Sequence, residues 1–112
     1  MSKKILCVFL FFKIGFSADY QDRIKFYMKN SAKDVILNLD KSNSNKKDFN
    51  NLIDDLSVIK LEKWLPNARP DDKDGEVYLN RFYIAYFDSV STDLDEVLRN
   101  FENVSFVQWV EP

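Results

Sequence analysis

Histidine is missing from this sequence, and cysteine occurs once, at Cys7. Metal sites that depend on these two ligands, and catalytic triads built around a histidine, are therefore excluded. Two glycines and three prolines are too few for a collagen-like or low-complexity chain, and an apolar fraction of 46% indicates a globular domain. A chain of 112 residues has room for one such domain with a thin core.

The N-terminus resembles an export signal. Residues 1–17, MSKKILCVFLFFKIGFS, place Lys3 and Lys4 before the apolar run 5–12 and end on small residues ahead of Ala18. We therefore expect a signal peptide at 1–17, a domain at 18–112, and a secreted or exported protein that meets a membrane only during export. A buried N-terminal strand is the alternative, because Lys13 interrupts the apolar stretch and Phe16 is bulky near the expected cut. A transmembrane anchor is disfavoured, because the apolar run is too short to cross a bilayer.

Charge argues against a nucleic-acid partner. Without the three lysines of the signal, 13 basic residues remain against 18 acidic ones from residue 18 onward, a net charge of −5. Such a surface repels phosphate backbones, so we expect no nucleic-acid binding.

The sequence repeats itself at an offset of 45 residues. Segments 49–56 (FNNLIDDL) and 94–101 (LDEVLRNF) both carry apolar residues at i, i+3, i+4 and i+7, which predicts two amphipathic helices. Ser44 or Asn45 is the expected cap of the first helix, and Asp93 of the second. The apolar matches continue beyond the helices at Ile59 and Val104, Leu61 and Phe106, Trp64 and Trp109, and Leu65 and Val110.

Each helix is flanked by strand-like segments, at 23–29, 58–65, 81–87 and 104–110. Two strand-helix-strand halves predict an α+β, ferredoxin-like βαββαβ fold: a four-stranded antiparallel sheet with two helices on one face. The expected lateral order is fourth, first, third, second strand. The connection 66–80 should be a long hairpin, whereas residues 30–45 stay undecided between a helical turn and a short strand.

Alternation along the strands predicts which side chains face the helices and which face outward. The outward set is partly apolar, which favours a docking surface over the alternative of scattered exposed aromatics. The helix-facing set is Ile24, Phe26, Met28, Ile59, Leu61, Phe82, Ile84, Tyr86, Val104 and Phe106. The outward set is Lys25, Tyr27, Lys60, Glu62, Tyr83, Ala85, Phe87, Ser105, Val107 and Trp109.

Two motifs suggest ligands and are rejected. Segment 71–76, DDKDGE, resembles part of a calcium loop, but Pro70 and Arg81 would occupy ligand positions 1 and 12, so a solvated loop is preferred. Segment 80–87, NRFYIAYF, lacks the small residues of an RNA-recognition strand. We expect no metal, no cofactor and no small-molecule ligand.

Three segments resemble the N-terminal propeptide of secreted subtilisin-like serine proteases, of the fervidolysin type. They are Trp64-Leu65-Pro66 at a strand end, Asn80-Arg81-Phe82-Tyr83 at a strand start, and the ending 103–112, NVSFVQWVEP. The resemblance implies a ferredoxin-like prodomain that acts as an intramolecular chaperone and temporary inhibitor. In the family, the open sheet face packs on the enzyme and the segment after the last strand enters the substrate cleft.

The resemblance implies a subtilisin-like catalytic domain as partner, in cis or in trans. The catalytic domain itself is not in this sequence, so we expect a non-catalytic chain. The alternatives are a trans-acting inhibitor and a stand-alone exported domain that binds another protein. The expected protease-binding residues are Tyr27, Tyr83, Phe87, Val107, Trp109, Val110, Glu111 and Pro112.

Overall fold

The computed structural model describes residues 21–112, so the predicted signal peptide and Cys7 lie outside the described residues. Eight strands and two helices follow one another along this part of the chain, with a 3₁₀ turn at Leu79–Arg81. In order they are β1 (Gln21–Met28), β2 (Leu37–Asn38), β3 (Asn43–Ser44), α1 (Lys47–Asp55), β4 (Val58–Lys63), β5 (Lys73–Asp74), β6 (Val77–Tyr78), β7 (Phe82–Asp88), α2 (Leu94–Glu102) and β8 (Val107–Glu111).

The long strands form one antiparallel sheet in the lateral order β8-β1-β7-β4. The architecture is α+β, with a four-stranded antiparallel sheet and two helices, and it is compatible with a ferredoxin-like arrangement. Two short hairpins, β2–β3 and β5–β6, are added to it. The first resolves the undecided segment, because Leu37 and Asn38 form a strand there. Its turn residue Ser42 accepts a hydrogen bond from the Leu61 N–H (3.0 Å), which covers part of the β4 edge.

Both helices form where their apolar spacing predicts. Their stripes enter one core, in which the Phe101 ring of α2 lies 5.2 Å from Phe26 of β1 and 5.9 Å from Phe49 of α1. Shared contacts of this kind place both helices on the same face of the sheet. Asp93 caps α2 as predicted, since its side chain accepts a hydrogen bond from the Glu96 N–H (2.8 Å).

The cap predicted for α1 is wrong. The N-cap residue is Lys46, whose side chain makes no capping bond. Ser44 instead organises the preceding turn, where its hydroxyl accepts a hydrogen bond from the Lys46 N–H (2.9 Å). The Ser44 side chain therefore accepts a hydrogen bond from an N–H of the turn, whereas a capping serine would accept one from an N–H in the first turn of the helix.

The predicted parity of β7 is also wrong. Pairing places Ala85 opposite Ile24 and Tyr83 opposite Phe26, and paired residues share a face, so Tyr83, Ala85 and Phe87 point toward the helices. Ala85 and Phe87 are fully buried in the core. The alternate residues, Phe82, Ile84 and Tyr86, therefore point outward, the reverse of the prediction.

Bulges shift the two edge strands. In β4 the extra residue is Ile59, which was expected inside and is 49% exposed. In β8 the extra residue is Gln108, so Val107, expected outside, is buried beside Phe106. Outside these bulges the predicted facing of β1 and β4 is confirmed, with Ile24, Phe26, Met28 and Leu61 buried.

Candidate functional site: the outer sheet face

The sheet face opposite the helices carries a row of four aromatic rings that crosses the sheet. Three of the rings belong to strands, and the fourth belongs to the residue that follows β4. Cross-strand pairing aligns Tyr27 of β1 with Phe82 of β7 on one side and with Trp109 of β8 on the other. Trp64, directly after β4, completes the row, because its N–H donates to the Phe82 carbonyl (3.0 Å). We call Trp64, Phe82, Tyr27 and Trp109 the aromatic row.

The rings pack against one another without stacking flat. Phe82 lies in the middle, with its centroid 4.7 Å from Tyr27, 5.3 Å from Trp64 and 5.4 Å from Trp109. The interplanar angles of these pairs are 54°, 79° and 72°, the tilted and edge-to-face geometries that aromatic pairs favour. The tryptophans at the two ends stay accessible, Trp64 at 36% and Trp109 at 42%, whereas Tyr27 beneath them is 4% exposed.

Charged side chains lie next to the aromatic row on the same face, two residues away along the strands. Lys25 extends its ammonium over the Trp64 ring, 4.6 Å from the centroid, and lies 3.9 Å from the Glu111 carboxylate. Glu62 on β4 accepts a hydrogen bond from the Tyr86 hydroxyl (2.7 Å). That bond holds the pKa of Glu62 below its usual value and raises the pKa of Tyr86, with Lys60 lowering the pKa of Glu62 further. The outer face therefore passes from aromatic to charged along the strand direction.

A hydroxyl under the aromatic row fastens the long connection 66–80 to the sheet. We call this connection, which carries the β5–β6 hairpin, the arm. The Tyr27 hydroxyl accepts a hydrogen bond from the Tyr78 N–H (2.9 Å) and donates one to Asn30 (2.7 Å). Asn30 in turn donates to the Glu76 carbonyl (3.1 Å). The arm thus lies against the aromatic end of the outer face.

Only some of the residues predicted to contact a protease lie together on the outer sheet face. Tyr27 and Trp109 both lie in the aromatic row, as expected. Tyr83, Phe87 and Val107 do not lie on this face: Phe87 and Val107 belong to the core, and Tyr83 packs on Phe26 with ring centroids 5.6 Å apart. Burial also raises the pKa of the Tyr83 hydroxyl. These three assignments are corrected by the observed register and by the bulge in β8.

The predicted tail is mostly a strand. Val110 pairs with Phe26 and Glu111 with Lys25, so both residues belong to β8, and only Pro112 lies beyond it. For Val110 or Glu111 to enter the cleft of another protein, β8 would have to separate from β1 at these positions.

Sequence reasoning missed Trp64 and Phe82 as members of the site. A signal for Trp64 was present, because it matches Trp109 in the internal repeat, and both tryptophans pack edge-to-face on Phe82. No signal separated Phe82 from Tyr83, since both residues are aromatic.

Within residues 21–112, no group of three or more acidic side chains is placed to hold a metal ion. Segment 71–76 contains β5 and the turn of the β5–β6 hairpin, in which Gly75 has φ +64°. An open cavity of about 770 Å³ lies between α1 and the α2–β8 connection, lined by residues such as Lys29, Phe49 and Asn103.

Comparison of the chain with protein-family models, with curated proteins and with solved structures gives no match. In the described part of the chain, no helix has the length and apolar character needed to cross a bilayer.

Proposed function

We propose that residues 18–112 form a non-catalytic domain of ferredoxin-like βαββαβ fold that binds an exported subtilisin-like serine protease. In this proposal the domain serves the protease as a propeptide does, as folding chaperone and temporary inhibitor. The chain order of the long elements supports the fold: β1, α1, β4, then β7, α2, β8, with β1 and β7 at the centre of the sheet.

One observation carries the proposal, namely the aromatic row on the face that the helices leave uncovered. Two part-exposed tryptophans held at fixed distances from a central phenylalanine form a rigid apolar surface. Tryptophan and tyrosine are the residues most enriched among those that dominate binding energy in protein interfaces. Rings that already pack on each other lose little side-chain freedom on binding, which favours docking.

The contacts assigned to the protease follow from this geometry. Trp109 and Trp64 are the anchors, and Phe82 and Tyr27 support them from below. A strand that continues beyond Glu111 from Pro112 onward would leave the sheet next to this surface and could add main-chain hydrogen bonds to an enzyme cleft. Docking of the row would hold such a segment at high effective concentration.

The test is inhibition of a panel of subtilisin-like proteases by the full chain, followed with a chromogenic peptide substrate. We expect at least one protease to be inhibited at micromolar concentration or below. Trp109→Ala should weaken that inhibition by about 1 to 3 kcal/mol, because the ring is an anchor. Val90→Ala is the matched control: Val90 is 70% exposed but lies past the opposite end of β7.

Full activity of every protease in the panel would refute the proposed function and favour a domain that binds some other protein. Inhibition that Trp109→Ala leaves unchanged would keep the protease as partner but remove the aromatic row from the interface.

A further inference from the structure

The turn of the β5–β6 hairpin contains the dipeptide Asp74-Gly75. Asp74 ends β5 and pairs with Val77, so Gly75 and Glu76 form a two-residue loop. Gly75 takes the first central position of the turn with φ +64°, a conformation that glycine adopts without strain. This is the one place in the sequence where glycine follows aspartate.

A glycine after an aspartate permits a spontaneous rearrangement of the main chain. The nitrogen of the following residue attacks the side-chain carboxyl carbon, and water leaves as a five-membered imide forms. A side chain on that residue hinders the approach of the nitrogen, and glycine has none. The position that a Cβ of Gly75 would occupy has no atom of another part of residues 21–112 within 4 Å, so the site is open.

The carboxylate of Asp74 has no competing partner. Its exposed side chain forms neither a hydrogen bond nor an ion pair within the range 21–112. Asp88, which precedes a serine, gives the contrast. One of its carboxylate oxygens accepts a hydrogen bond from the Val90 N–H (2.9 Å) and the other from the Ser91 hydroxyl (3.1 Å). The structure therefore leaves the Asp74 carboxyl group free to react and holds that of Asp88 in place.

The hairpin around Asp74 can open at low cost. It consists of two residue pairs, Lys73 with Tyr78 and Asp74 with Val77, and a hairpin of this length is marginal on its own. Residues 73–77 are all exposed, so little buried surface opposes opening. Opening matters because the carboxyl group must rotate onto the Gly75 nitrogen, which an extended residue in a ladder resists. Exposed segments of this kind open most often in a native protein.

We propose that Asp74 is a site of spontaneous conversion to isoaspartate through this imide. Water adds to either imide carbonyl: one product is the original aspartate, and the other joins Gly75 to the side-chain carboxyl carbon and leaves the α-carboxyl group free. The reaction loses one water molecule and takes up another, so it needs no enzyme, oxidant or other reactant. The isoaspartate form has one additional methylene group in its main chain.

The additional main-chain atom falls at the turn of the hairpin. Because the two-residue loop sets the register of Asp74 and Val77, a longer connection breaks their pairing. An attachment point of the arm follows directly, since the Tyr78 N–H donates to the Tyr27 hydroxyl (2.9 Å). Conversion therefore loosens the arm beside the aromatic row. This inference is independent of the protease proposed above as partner.

The test is incubation of the full chain in oxygen-18 water, at neutral pH and physiological temperature, for several weeks. Each imide that hydrolyses takes up one heavy oxygen, which peptide mass spectrometry locates, and electron-transfer fragmentation distinguishes isoaspartate from aspartate. We expect conversion at Asp74 to exceed that at Asp88 by about tenfold or more, because Asp88 reacts only after its hydrogen bonds open.

Two variants test the chemistry. Gly75→Ala keeps the carboxyl group but adds a methyl group beside the attacking nitrogen, and Asp74→Glu keeps the charge and the turn but would require a six-membered ring. Both variants should lose most of the label at position 74, and the label at Asp88 should stay the same in each. In the isoaspartate form of the native chain, NMR should show faster amide exchange of the Tyr78 N–H than in the fresh chain.

Absence of isoaspartate at Asp74, equal conversion at Asp74 and Asp88, or undiminished label in both variants would overturn the inference. An unchanged exchange rate of the Tyr78 N–H in the isoaspartate form would refute the loosening of the arm. Inhibition of a protease by the fresh chain involves none of these steps, so the proposed function stands or fails separately.

Discussion

Replacement of Phe87 by alanine tests the register on which the outer face depends. Phe87 is fully buried and belongs to the core, so truncation should cost about 3 to 5 kcal/mol, the usual range for a buried phenylalanine. A domain of this size has about 5 to 14 kcal/mol of stability. Tyr86, its neighbour on the opposite face, is part-exposed and donates to Glu62, so Tyr86→Ala should cost only about 1 to 2 kcal/mol.

The assay is equilibrium denaturation of both variants, followed by circular dichroism. Phe87→Ala should lower the melting temperature by at least about 12 °C, since each kcal/mol corresponds to about 4 to 8 °C in a domain of this size. A cost for Tyr86→Ala that equals or exceeds that of Phe87→Ala would refute the register, because a slip by one residue exchanges the two faces of the strand.

Three smaller changes test local features. Asp93→Ala should lower the free energy of unfolding by about 1 kcal/mol through loss of the α2 cap, while Asp93→Asn should be nearly neutral, as denaturation would show. Gly75→Ala should cost about 1 kcal/mol in the same assay, because Gly75 has φ +64° and alanine is strained there. Tyr86→Phe should raise the pKa of Glu62 toward its ordinary 4.5, measurable by NMR titration, since the hydrogen bond is the main cause of the lowered value. A carboxyl group whose pKa is lower in the folded than in the unfolded state stabilises the fold at pH values above the unfolded pKa, and this contribution is lost as the pH falls through the folded pKa. Tyr86→Phe reduces the difference between the two pKa values of Glu62, so the variant should lose less stability on acidification.

The two helices could be predicted because their apolar residues, spaced at i, i+3, i+4 and i+7, lie on one face only in a helix. Apolar residues at 49, 52, 53 and 56 and at the matching positions 45 residues later mark one stripe of each helix, and both stripes form the core. The sheet and two helices follow from the same repeat, because two helices with one apolar stripe each need a shared apolar face to cover.

The parity of β7 could not be obtained in the same way. The strand FYIAYFD is apolar at both parities, so alternation does not distinguish Phe82, Ile84 and Tyr86 from Tyr83, Ala85 and Phe87. What decides it is the pairing of Ala85 with Ile24, a long-range contact. Ala85 lies opposite Ile24 beneath the helices, which places Phe82, Ile84 and Tyr86 on the open face.

The bulges explain the remaining errors in the site. An extra residue in an edge strand changes the face of everything on one side of it, and neither Ile59 nor Gln108 has a sequence feature that marks it. Trp109 was nevertheless placed correctly, because Phe106 and Val107 both face the core and the extra residue Gln108 brings Trp109 back to the predicted face. Segment 71–76 of the arm was expected to be a solvated loop, and the attachment of the arm depends on the Tyr27 hydroxyl, whose partner Tyr78 is 51 residues away along the chain.

The central claim, that the aromatic row is a docking surface for a protease, is tested most directly by fluorine NMR. The full chain labelled with 5-fluorotryptophan should give two resonances, from Trp64 and Trp109, assigned with Trp64→Phe and Trp109→Phe. Addition of a protease that the chain inhibits should shift or broaden both resonances with the same dependence on concentration as the inhibition. Inhibition at saturation with both resonances unchanged would contradict the account.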